Sequence, residues 1–108
     1  MFHRTLSPKF PNTVTVTVLD DQGNEVVNTF TGIFKRATAE ELKALRKISD
    51  EELARDRLAG WELVDGDTRE NLPFTPENLD SVLSIAPSAR GIAVAFWEGV
   101  NGARAKNS

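Results

Sequence analysis

The residues of this 108-residue chain that could do acid–base, nucleophilic or metal chemistry are few and scattered. The one histidine is His3, in an N-terminal stretch without periodicity. A Ser-His-Asp arrangement needs that imidazole held rigidly against a serine, and geometry must be productive before pKa matters, so His3 is not read as a catalytic base. With no cysteine, thiolate zinc ligands, a disulfide and a cysteine nucleophile are all excluded. Asp65-Gly66-Asp67 with Glu70 has fragments of a calcium loop but lacks its twelve-residue ligand spacing, so it reads as a polar surface loop. Glu51, Glu52 and Asp56 would be paired carboxylates if a cleft faced them. A place at the start of a helix, where the dipole favours anions, accounts for them without catalysis. Gly99 and Gly102 follow no strand, so neither a dinucleotide fingerprint nor a P-loop is present. No enzymatic activity, cofactor or metal is expected.

That leaves binding. Trp61, Phe74, Phe96 and Trp97 are the bulkiest anchors. A small domain needs such side chains in its core, yet tryptophan is also enriched where partners dock. Trp97 stands about 100° around the helix from Phe96, off the main apolar stripe and beside Ala93. The candidate partner-binding set is therefore Trp97, Ala93, Val100 and Phe74. Charge is uneven: residues 1–36 carry four basic and three acidic groups, residues 37–80 six and twelve, residues 81–108 three and one. An acidic middle argues against nucleic acid, whose binders gather Lys and Arg on one face. It reads as solvated helix faces or as attraction to a basic partner. No run of about 18 apolar residues or secretory signal is found, so no membrane role is expected.

The elements that must position these residues follow from periodicity. The length suits a single domain, of roughly 13 Å radius of gyration if compact. Residues 1–12 contain Pro8 and Pro11 and read as a flexible arm. Thr13 to Leu19 alternates Val with Thr, the mark of a half-buried strand. Asp20-Asp21-Gln22-Gly23-Asn24 is a turn cluster, and Glu25 to Phe34 alternates again with Val26, Phe30 and Phe34 on one face. This is a hairpin over residues 13–35, which is marginal alone and must pack on a helix or on another copy. Residues 37–105 read as helical, and residues 106–108 as a frayed tail. Thr38-x-x-Glu41 and Ser49-x-x-Glu52 are capping boxes; Leu42, Leu45 and Ile48 follow the first at helical spacing, and Ala54, Leu58 and Trp61 follow the second. Thr75-Pro76 opens a third helix with Leu79, Val82 and Leu83 inward. Pro87 stops it, and Ser88 caps a last helix running to about Ala105, with Ile92, Phe96, Val100 and Ala103 as its stripe. The expected class is α+β: an N-terminal antiparallel β-hairpin or small sheet, then about four α-helices, in one domain over residues 13–105.

Four segments in order carry a resemblance. They are Phe30-Thr31-Gly32-Ile33-Phe34-Lys35-Arg36 leading into the capped acidic helix, and Leu58-Ala59-Gly60-Trp61-Glu62 before a polar loop. Leu72-Pro73-Phe74-Thr75-Pro76-Glu77-Asn78-Leu79 opens the third helix, and a proline-started last helix ends in Ala103-Arg104-Ala105-Lys106-Asn107. Together they resemble the tail assembly chaperones of long-tailed bacteriophages and prophages, over most of the chain. The resemblance implies a non-enzymatic protein of the bacterial host cytoplasm. It would bind the helical tape measure protein, keep it soluble, help tail tube subunits assemble around it, and be absent from the mature virion. Many such proteins are also made in a longer, frameshifted form, and a chain ending at Ser108 would correspond to the short one. A homo-oligomer, formed by strand pairing or arm exchange, would suit a protein that coats a long client. Two other readings stand beside it: an acidic inhibitor or antitoxin-like protein that neutralises a basic partner, and a small structural tail completion protein.

Overall fold

The computed structural model describes residues 1–102. Two layers make the α+β fold. A three-stranded antiparallel sheet, in spatial order β1-β2-β3, carries helices on one face only. Strand β1 (Lys9–Leu19) and β2 (Glu25–Lys35) form the hairpin. Helices α1 (Ala39–Leu45) and α2 (Asp50–Arg57) follow, then β3 (Leu58–Glu62), α3 (Pro76–Leu83) and α4 (Ser88–Asn101). The hairpin extends past β3, which pairs only with Thr31 to Phe34 of β2. This overhang helps to draw the molecule out to 48 × 31 × 27 Å and its radius of gyration to 14.7 Å.

The hairpin is where alternation placed it. Lys9 lies opposite Lys35 and Leu19 opposite Glu25, and the inward face is Phe10, Asn12, Val14, Val16 and Val18 against Phe34, Gly32, Phe30, Asn28 and Val26. Gly23 takes the left-handed conformation (φ 82°) at the turn, and the Asp20 carboxylate accepts the backbone N–H groups of Gln22 and Asn24. These bonds hold the Asp20 pKa below its ordinary value.

Strand β1 starts earlier than alternation suggested. Lys9 to Asn12, expected in the flexible arm, belong to the strand, and residues 1–8 carry no regular element apart from the Pro8 carbonyl, which accepts the Arg36 N–H. Pro11 had marked this stretch as irregular. It is tolerated because β1 is an edge strand. With residues 8 and 20 bonded across to β2, odd-numbered positions aim their backbone groups at the free edge, and Pro11 has no N–H to lose there. Asn12 points into the core, and its amide donates to the Ala95 carbonyl of α4 at 2.8 Å. Asn12→Ala is expected to cost about 1–2 kcal/mol, read as a lower urea midpoint at unchanged slope.

A second correction concerns Leu58 to Glu62. Leu58 and Trp61 were expected to continue the second helix; instead α2 stops at Arg57 and these residues form β3. A spacing of three would put the two side chains on opposite faces of a regular strand. Here Trp61 lies opposite Gly32 and Gly60 opposite Ile33, but Leu58 lies opposite Phe34, so Ala59 is an extra residue. This bulge turns both Leu58 and Trp61 inward.

The capping boxes are as read. The Thr38 hydroxyl accepts the Glu41 N–H while Glu41 accepts the Thr38 N–H, and Ser49 and Glu52 do the same. Thr75 caps α3 with Pro76 at its first position. The last helix differs from expectation. Pro87, not Ser88, is its N-cap, and Ser88 is buried within its first turn. It ends at Asn101, with Gly102 in the left-handed conformation (φ 63°), rather than near Ala105. The expectations for Ala103 and for a frayed 106–108 lie outside the described residues. The core sits between the inner sheet face and α4: Phe10, Val14 and Phe34 from the sheet, Leu53 and Ala54 from α2, Ile92 and Phe96 from α4.

Candidate partner-binding surface

Helix α4 is the central helix of the domain, in contact with β1, β2, α2 and α3. Its inward side is occupied by Ile92, Ala93, Ala95 and Phe96. Its outward strip is Arg90, Val94, Glu98 and Asn101, with half-buried Trp97 at one margin. The strip is lined by two shallow clefts. One lies toward the β1 edge, between Thr13, Thr15 and Thr17 and the Arg90–Glu98 side of the helix. The other lies toward α2, between Asp50 and the residues Ala93, Val94, Trp97 and Asn101. Two glycines set the helix close to β1. A Cβ at Gly91 would lie 2.5 Å from the Thr15 carbonyl oxygen, and one at Gly99 would overlap the Phe10 ring.

The four residues read as partner-binding are not one surface. Ala93 is 1% exposed, at the floor of the cleft toward α2 that Trp97 also lines. Val100 is half-buried against the core. Phe74 is on the β3 side of the sheet and stacks edge-on to Trp61 at 4.8 Å, while Trp61 meets Phe30 and donates its indole N–H to the Leu72 carbonyl at 2.7 Å. Trp97 combines packing with access on the outward side of α4. It leans on Phe96 at 5.2 Å and carries the Arg46 guanidinium over its ring, also at 5.2 Å. The residues sequence reasoning missed are Val94, the exposed apolar residue between the two clefts, and Arg46, which an alternating or helical pattern gives no reason to place over Trp97.

The acidic middle segment is largely engaged within the molecule. Arg55 joins Glu51 of its own helix to Asp80 of α3 at 3.1 and 2.7 Å, and these two carboxylates hold its pKa above the ordinary value. Arg57 pairs with Asp56 and donates to the Arg36 carbonyl. Arg90 faces Asp50 at 3.7 Å. Glu41 has its pKa lowered chiefly by the Thr38 N–H. The Asp65 carboxylate accepts the Asp67 N–H within a tight loop where Arg69 is left-handed (φ 65°). Among the described residues no group of acidic or histidine side chains is arranged to hold a metal ion. His3 lies on the exposed segment before β1.

The Thr15 carbonyl points out of the sheet edge, and α4 sits against it at Gly91, so a neighbour's strand would meet the helix there. Among the described residues no single helix is long and apolar enough to cross a membrane. Comparison with known proteins finds no matching family model, no matching curated protein and no matching solved structure.

Proposed function

We propose that this protein is a tail assembly chaperone that holds the tape measure protein, an elongated amphipathic helix, until tube subunits enclose it. The reading starts from the four sequence segments and their order. What supports it in the fold is one juxtaposition: Trp97, half-buried with an accessible margin, beside exposed Val94, between clefts with polar rims. A helix laid along α4 would place apolar side chains on Val94 and Trp97 and polar ones beside Arg90, Glu98 and Asn101, the helix-in-groove mode. Such a complex works in the host cytoplasm with no catalytic step.

Co-expression of the tagged chain with the tape measure protein tests this. The client should stay soluble and copurify at high salt, since apolar contacts resist screening. Trp97→Ala should weaken the complex at least tenfold while lowering the thermal midpoint by no more than about 8 °C, the shift expected for about 1 kcal/mol in a domain of this size. Loss of the complex in salt alone would instead favour a basic partner held by charge.

A further inference from the structure

The helices cover one face of the sheet and leave the other open. The open face presents Lys9, Pro11, Thr13, Thr15, Thr17 and Leu19 from β1, and Glu25, Val27, Thr29, Thr31, Ile33 and Lys35 from β2. Its composition is ordered along the strands. At one end Lys9 and Lys35 lie directly opposite each other, a like-charge pair that costs stability across a ladder. At the other end are Glu25 and, in the adjoining turn, Asp21. Neither lysine, nor Glu25, nor Asp21 is in a salt bridge among the described residues. Between the ends β1 and β2 carry no charge, and the one carboxylate beside them on this face is Glu62 of β3, opposite Thr31. Thr13 faces Thr31 and Thr15 faces Thr29 at the centre, and Val27 (60% exposed) and Leu19 (67%) lie nearer the acidic end.

The two charged ends are roughly 34 Å apart, ten strand steps at about 3.4 Å, so they cannot neutralise one another within one molecule. A second copy turned end for end can do it. We propose that two copies of this chain stack sheet on sheet through this open face, about a two-fold axis that lies between the sheets and runs across the strands at the level of the four central threonines. The operation sets Lys9 and Lys35 of each copy over the acidic end of the other. It brings threonine against threonine, whose hydroxyls both donate and accept and so match their own copies. The opposite orientation, strands parallel, stacks lysines on lysines.

Sheets packed about 10 Å apart in this way would bury roughly 800 Å² in total over a patch of this length and two strands' width, which is small for a specific interface. The dimer is accordingly weak and concentration-dependent. It leaves the outward strip of α4 and the cleft toward α2 uncovered on both sides, while Thr13, Thr15 and Thr17 also line the cleft toward the β1 edge, so that cleft adjoins the dimer seam.

Sedimentation velocity on the whole chain, over a concentration series up to about 1 mM and in low and high salt, tests the proposal. The wild type should pass from monomer to dimer, with dimer weakening as salt rises. Thr29→Lys, a charge at the centre of an exposed position, should weaken it at least tenfold. Glu25→Lys should weaken it likewise, and so should Lys9→Glu with Lys35→Glu. The triple exchange of all three should restore the dimer, which no general loss of folding could produce. A strict monomer throughout, a dimer indifferent to Thr29→Lys, or a triple exchange no better than its parents would each overturn it.

Discussion

Phe96→Ala should remove about 3–5 kcal/mol of stability, the cost of emptying a buried aromatic site that cannot close fully. Phe96 has no exposed surface. Its ring centre is 6.2 Å from Phe10, 6.0 Å from Phe34 and 5.2 Å from Trp97, so it joins β1, β2 and the outward margin of α4. A domain of this size has about 5–15 kcal/mol in all, so the variant should be partly unfolded at 37 °C or close to it. Urea denaturation followed by far-ultraviolet circular dichroism measures the loss. A cost under about 1 kcal/mol would mean that α4 settles into the vacated space, and that the core is less firmly packed than the four-ring arrangement indicates.

Gly91→Ala carries the second large effect, and its sign opposes helix propensity. In the interior of a helix, alanine is favoured over glycine by about 1 kcal/mol. At this position the added carbon would lie 2.5 Å from the Thr15 carbonyl oxygen, which is backbone of a strand whose neighbouring residues are bonded to β2. The helix must back away from β1, lengthening the Asn12 to Ala95 hydrogen bond and loosening Phe96. A net loss of about 1–3 kcal/mol is expected. Gly66→Ala is the control, since nothing lies within 4 Å of a carbon built there. Thermal unfolding of the two variants beside the wild type gives the answer; a raised midpoint for Gly91→Ala would show that α4 has room to move.

The parts of this fold that were legible in the sequence are those where local pattern and tertiary role agree. Val14, Val16 and Val18 alternate because one face of the hairpin is buried, and Asp20 and Gly23 mark the turn by their own hydrogen bonds and backbone angle. Both capping boxes close within four residues and need no distant partner. The misreadings share the opposite property. Leu58 and Trp61 have a spacing that a helix and a bulged strand both satisfy, and only pairing with β2 decides between them. Pro8 and Pro11 look like breakers until β1 is known to be an edge strand. The candidate partner-binding residues lie apart in the fold, out of reach of a helical wheel, which gives directions around one helix only. The wheel does not say that Ala93 lies at the floor of the cleft toward α2, or that Phe74 is held by Trp61 on the β3 side of the sheet. The offset of Trp97 from Phe96 is a local angle, so its place at the margin of α4 is legible in the sequence.

The bond from Asn12 to Ala95 spans 83 residues of sequence, and it joins the first strand to the last helix. During vectorial synthesis β1 is made before α4 and waits for the residues up to Ala95, 83 positions after Asn12, before α4 can cover Phe10, Val14 and Val16. The hairpin and the two capped helices are local and can form on the nascent chain, but the core cannot close until α4 has been made. A ribosome paused anywhere before Ala95 exposes an apolar strand face that the finished protein hides.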